Sequence, residues 1–180
     1  MEAAPAMERA RLERELVRHH EDAWGWALNC CLWDRESAGD VLQDAYLRVL
    51  DGRAQYRERS PFRTWLFGVV RMVSLEHRRR AGRQAERVRR LAANGDAGLL
   101  GVSDPGPHER LELAERARRL REALGGLTER QREVLHLVFY QGMTVAEAAD
   151  VMEVRVGTAR THYERAKRAL RTELSEPWMT

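Results

Sequence analysis

The chain is 180 residues long, 43% apolar and 33% charged, with a formal net charge of +3. That length holds one ordinary domain or two small ones, and the composition can bury a core beneath a heavily charged surface. The two cysteines, Cys30 and Cys31, are adjacent, which excludes a disulfide framework, and no apolar run approaches the ~20 residues of a bilayer span.

Strand signals are nearly absent and helix formers dominate, so the expected fold class is all-α. Helices are expected over 7–32, with a break around His19–Glu21, then over 35–51 and 61–81. Gly52 sits one place past the second helix, where a positive φ ends it. Ser60 reads as N-cap and Pro61 as the first residue of the third helix. Its apolar stripe, Phe62, Trp65, Leu66, Val69 and Val73, follows the 3.6-residue period and should face the core. Residues 92–107 concentrate Gly, Asp, Asn and two prolines and read as a linker. The expected domains are therefore 1–91 and 108–176. In the second, helices are expected over 108–124, 128–141, 144–152 and 155–174. Thr128 with Gln131 and Thr144 with Glu147 form capping boxes, and Gly142 suits a left-handed turn.

Function concentrates in three charged segments. In Thr144–Leu174, a short helix with Ala148 and Ala149 meets a tight turn at Glu153–Arg155. A longer helix follows, whose apolar positions Val156, Ala159, Tyr163, Ala166 and Leu170 define one buried face. The other face carries Thr158, Arg160, Thr161, His162, Arg165, Lys167 and Arg168. Five bases against Glu164 give residues 160–171 a local charge of +4. This is a helix-turn-helix pattern, whose second helix enters the major groove while arginines read guanine or meet phosphate. A solvated basic face is the bland alternative.

The second segment, Arg71–Arg90, holds eight arginines against Glu76 and Glu86, a local +6, with Tyr56, Phe62, Trp65 and Phe67 just before it. Rings for stacking beside cations for phosphate suit single-stranded or melting DNA. The rings read equally as core. The third segment, Asp34–Asp51, is acidic, with five acids against two arginines. Asp40, Gln43 and Asp44 fall at i, i+3 and i+4, opposite the apolar Ala38, Val41, Leu42, Ala45 and Val49. An acidic patch repels phosphate and fits a basic protein surface, or is simply solvated.

These features, in this order, resemble the extracytoplasmic-function (group 4) sigma factors of bacterial RNA polymerase. The strings that carry the resemblance are SAGDVLQDAYLRVL (37–50), SPFRTWLFGVVR (60–71), LTERQREVL (127–135) and VRVGTARTHYERAKRALR (154–171). It implies a region 2-like bundle and a region 4-like helix-turn-helix joined by a flexible linker. It also implies a factor that directs core polymerase to promoters and opens them. By the same resemblance Asp40, Gln43 and Asp44 dock on the polymerase clamp. Tyr56, Arg63, Thr64, Trp65 and Arg71 take the melted non-template strand of the minus-ten element. Thr158, Arg160, Thr161, His162 and Arg165 read the duplex minus-thirty-five element. An anti-sigma factor is a further implied partner. Met72, Glu153 and His162 stand where the family usually has Asn, Gly and Arg.

Other signals are weaker. His19, His20, Cys30 and Cys31 match no metal spacing, and no nucleophile-elbow, P-loop or zinc-protease string occurs, so neither metal, cofactor nor catalytic activity is expected. Residues 1–11 lack the apolar core of a signal peptide, which points to a cytoplasmic protein without membrane insertion. Trp178 lies on the C-terminal tail. The competing reading is a stand-alone helix-turn-helix regulator of duplex DNA, and a third is a protein-interaction module. The acidic segment and the 60–71 string argue against the regulator, and the basic helix against the module.

Overall fold

The computed structural model of the chain describes residues 9–89 and 123–174. The chain splits into two compact units. The expected linker, most of the helix expected over 108–124, and Trp178 lie outside the described residues. No strand occurs among those described.

In the first unit, α1 (Arg9–Arg18) and α2 (His20–Cys30) are separated at His19, where the break was expected. Asp34 then caps α3 (Arg35–Leu50) by accepting from the Glu36 N–H at 3.2 Å. The helix ends at Gly52, with φ at 72° in the left-handed region that glycine enters without strain. The next helix, α4 (Phe62–Arg89), runs past its expected end. It also starts one residue late. The Trp65 N–H bonds to Pro61, so Pro61 rather than Ser60 supplies the first helical carbonyl. The Ser60 carbonyl is taken instead by the Tyr56 hydroxyl at 2.7 Å.

The core of this unit lies between α2, α3 and α4. The small residues Ala23, Ala27, Ala38 and Ala45 are fully buried and let the helices approach closely, while Leu66, Val70 and Val73 fill the space from α4. At the centre sits Trp26, fully buried and stacked on Phe67 with centroids 5.9 Å apart. Its indole N–H donates to the Phe67 carbonyl at 3.0 Å, so the one polar atom of the ring is satisfied.

In the second unit, α5 (Glu129–Leu135) begins at the expected box. The Gln131 N–H donates to Thr128 Oγ1 at 3.4 Å, and the Thr128 N–H to Gln131 Oε1 at 2.9 Å. The helix then widens into a π-helical segment, His136–Tyr140, which the period did not foretell. The wider turn keeps His136 and Leu137 buried together with Gln141 and Met143, and leaves Phe139 and Tyr140 on the surface. Gly142 follows at φ 65°. The Thr144–Glu147 box opens α6 (Val145–Met152): the Thr144 N–H reaches the Glu147 carboxylate at 2.8 Å and the Glu147 N–H reaches Thr144 Oγ1 at 3.2 Å. After a turn, α7 (Val156–Leu174) packs against α5.

Replacing Trp26 with Ala empties the centre of the first unit and should destabilise it by about 3–5 kcal/mol, read by denaturant unfolding. Trp26→Phe keeps a ring for the stack but loses the hydrogen bond and leaves a smaller cavity, and should cost less, about 1–3 kcal/mol.

Candidate nucleic-acid interface

The turn of the helix-turn-helix is set by a left-handed residue. Glu153 has φ 54°, and the Val154 N–H closes the end of α6 by donating to the Ala149 carbonyl at 3.0 Å. This is the Schellman ending that glycine usually makes. Ala148, Ala149, Ala159 and Ala166 are buried, and α6 adds the buried Val151 and Met152. Val156, expected on the same buried face, is 43% exposed. As the first residue of α7 its side chain leans back beyond the helix, where no turn covers it.

The outer face of α7 is as the period required. Thr158, Arg160, Thr161 and Arg165 are exposed and His162 is half-buried. Thr161 donates its hydroxyl to the Gly157 carbonyl at 2.9 Å, which leaves its oxygen lone pairs outward. Lys167 is partly spoken for, 2.9 Å from Glu164 and over the Tyr163 ring at 4.9 Å. Arg160, Arg165 and Arg168 have no acidic partner among the described residues. Their charge is therefore available to phosphate or a base edge.

In the first unit the loop before α4 builds an aromatic cluster. Tyr56, Phe62 and Trp65 lie 5.1–5.3 Å apart by ring centroids. His19 stacks on Phe62 at 6.1 Å, and burial lowers its pKa towards a neutral ring. Phe62 is buried, whereas Tyr56 and Trp65 keep part of their surface in water. Arg63 lies beside them, 2.9 Å from Asp22 and over the Phe67 ring at 5.2 Å. Two of the expected residues are buried in the free chain. Thr64 and Arg71 are each only 3% exposed, because their helical positions turn towards α2 and α3 rather than outward. Beyond them Arg79 and Arg80 are exposed, while the side chains of Arg83, Arg87 and Arg89, and all of Arg90, lie outside the described residues.

The acidic segment is also divided. Asp40 and Gln43 are exposed, as spacing required. Asp44 is half-buried and held by Arg48, with Oδ1 3.2 Å from Nε and Oδ2 2.9 Å from Nη2. The same guanidinium crosses to α4 and meets both oxygens of Glu76 at 3.0 and 2.7 Å, while His77 lies 3.4 Å from Asp44. Hydrogen bonds from Arg48 hold both carboxyls below their ordinary pKa. Neither this bridge nor the Asp22–Arg63 pair was visible in the sequence, since both join residues far apart along the chain. Among the described residues no group of three His, Cys, Asp or Glu side chains gathers to hold a metal. Burial pushes the Cys31 thiol up to about 11, away from thiolate chemistry. No helix among the described residues is long and apolar enough to cross a membrane.

Comparison with known proteins adds an independent view. Residues 16–84 match the model of Sigma-70 region 2, and residues 117–170 that of Sigma-70, region 4. The chain is 32% identical to a probable RNA polymerase sigma-C factor of Mycobacterium bovis, over 88% of this chain and 80% of that one. It is 28% identical to the ECF RNA polymerase sigma factor SigX of Bacillus subtilis, over 87% and 79%. Among solved structures it is similar in fold to the sigma factor RpoE in complex with the anti-sigma factor NepR from Bartonella quintana. The TM-score is 0.70 at 19% identity, covering 91% of this chain and 96% of that one. CnrH, solved in complex with the cytosolic domain of CnrY, gives a TM-score of 0.60 at 25% identity, covering 94% and 90%.

Two predictions follow from the geometry. Asp44 and Glu76 have folded pKa values depressed below their ordinary 3.8 and 4.5. Their contribution is complete above those values and is lost as the pH falls through and below them. The thermal midpoint of the first unit should therefore drop on acidification from pH 6 to pH 3, and drop less steeply in Arg48→Met. Replacing Glu153 with Gly removes the left-handed strain and should raise the stability of the second unit by about 1 kcal/mol, with duplex binding unchanged.

Proposed function

The chain belongs to the sigma-70 family, as a sigma factor of the extracytoplasmic-function group, and we propose how its surfaces divide the work of starting transcription. As an RNA polymerase sigma factor it directs core polymerase to promoters. The exposed Asp40 and Gln43 of α3 dock on a basic surface of the polymerase clamp. Asp44 shapes that face from behind, through Arg48, instead of contacting the partner. Tyr56 and Trp65 stack on bases of the melted non-template strand at the minus-ten element, with Arg63, Arg79 and Arg80 along its phosphates. Thr64 and Arg71 hold this surface from below.

The second unit places α7 in the major groove of the minus-thirty-five element. Thr158, Arg160, Thr161, His162 and Arg165 face the DNA, with the residues at the helix start nearest the base edges. One observation carries this reading: the exposed bases of α7 and the exposed acids of α3 lie on different elements, so DNA and polymerase need not compete for one surface. The factor supplies no chemistry of its own and acts in the cytoplasm, where promoter DNA lies. The resemblance to sigma factors solved with anti-sigma partners supports a partner of that kind for this chain too.

Run-off transcription with core polymerase on a promoter library tests the assignment. The complete protein should give discrete starts that core polymerase alone does not. Arg160→Ala should weaken use of the upstream element and leave core binding intact. Asp40→Lys with Gln43→Lys should do the reverse. Tight, selective duplex binding without polymerase would instead identify a stand-alone regulator.

A further inference from the structure

The turn between α2 and α3 spends bulky apolar residues where the backbone favours glycine. Helix α2 ends in a Schellman arrangement: the Leu32 N–H points to the Asn29 carbonyl at 3.4 Å and the Trp33 N–H donates to the Leu28 carbonyl at 2.8 Å. Leu32 has φ 56° and Trp33 φ 68°. Among the described residues four non-glycine positions are left-handed, and these are the two that are apolar and consecutive. Left-handed backbone opposes both side chains, since their Cβ crowds the following carbonyl. Burial compensates each residue only in part. Leu32 is 55% exposed and Trp33 40%. Strain together with apolar exposure is a poor solution for folding alone, and such outliers gather where a partner binds.

The surroundings say which partner. Asp34, next in the chain, caps α3 through the Glu36 N–H and also accepts from the Ser37 hydroxyl, so the turn is tied to the foot of that helix. From that foot runs an exposed stripe of Glu36, Asp40, Gln43 and Leu47, spaced by four, three and four residues along one helix face. Asp40 lies about 9 Å up the helix axis from the cap. Glu36 and Asp40 have no cationic partner among the described residues, and Arg35 is the exposed base nearby in sequence. An acidic stripe with apolar residues at both ends repels nucleic acid and complements a basic protein surface that offers apolar pockets. The turn fixes the backbone of Trp33, so only side-chain freedom is left to lose on binding, and a part-exposed tryptophan on fixed backbone has the character of an interface anchor.

We infer that Leu32 and Trp33 form an apolar anchor for core RNA polymerase, extending the docking surface of α3 around its N-terminal end. This rests on the reading of α3 as the docking face. It assigns the strain to binding: residues that suit the partner occupy a turn that glycine or asparagine would make more easily.

The test uses the full chain with Leu32→Gly/Trp33→Gly and, separately, Leu32→Asn/Trp33→Asn. Affinity for core polymerase and the thermal midpoint of the free protein are measured for each. The expected result is an equal or higher midpoint with affinity weakened about tenfold or more. Unchanged affinity, or weakened affinity with a lower midpoint in both variants, overturns the inference. Asp40→Lys/Gln43→Lys serves as the control. If it abolishes binding while the turn variants do not, the anchor alone is wrong. If it too binds normally, the docking face itself is wrong.

Discussion

Arg48 reaches from α3 to α4 and grips a carboxylate on each, Asp44 on its own helix and Glu76 on the other. A partly buried cation of this kind adds little net stability, because desolvation offsets much of the attraction. Its value lies in geometry. A guanidinium presents its donors in a rigid fork, so two helices that both meet it are fixed in register as well as in distance. With that register set, the apolar side of α3 lies against α2 and α4, and Asp40 and Gln43 are left facing outward. The same contact neutralises Asp44 and Glu76 near α4, the helix that carries the arginines. An uncompensated pair of carboxylates there would weaken the attraction of that helix for phosphate. One interaction therefore keeps an acidic surface and a basic one apart within a unit of four helices.

The fold was legible where the sequence speaks locally. Both capping boxes, the left-handed glycines 52 and 142, the break at His19 and the buried apolar period of α3 and, apart from the half-exposed Trp65, of α4 depend on residues within one or two turns of each other. Those signals survive folding because tertiary contacts have no reason to oppose them. The π-helical segment His136–Tyr140 escaped because the helical period before it is regular. The extra residue is dictated by what must be buried afterwards, at Gln141 and Met143, and periodicity cannot see that. Pro61 and Ser60 were displaced by one place for a similar reason: a tyrosine hydroxyl four residues earlier claimed the carbonyl.

The site was legible in part, and the limit is physical. Helical spacing says which residues share a face, and so it found Arg160, Thr161, Arg165, Asp40 and Gln43. It does not say what else that face meets. Arg71 and Thr64 sit in a basic, aromatic-flanked string that looks DNA-facing, yet the neighbouring helices cover them. Arg63 is exposed enough to bind but already holds Asp22, so any phosphate it takes must compete with an existing ion pair. By contrast, Arg160, Arg165 and Arg168 of α7 have no acidic partner among the described residues, because they lie on the exposed side of the helix, away from the buried Ala159 and Ala166.

Left-handed backbone is met by glycine at some turns and by larger residues at others. Gly52 and Gly142 occupy left-handed positions at no steric cost, and their turns connect helices of the core. Leu32, Trp33 and Glu153 occupy the same region of backbone space with a side chain that the region disfavours by about 1–2 kcal/mol each. All three close a helix that leads directly into one of the working helices, α3 or α7. A chain selected for stability alone would place glycine at each. At Leu32 and Trp33 that strain in the free protein marks the side chains proposed to contribute in the assembled complex, whereas at Glu153 it shapes the turn ahead of α7.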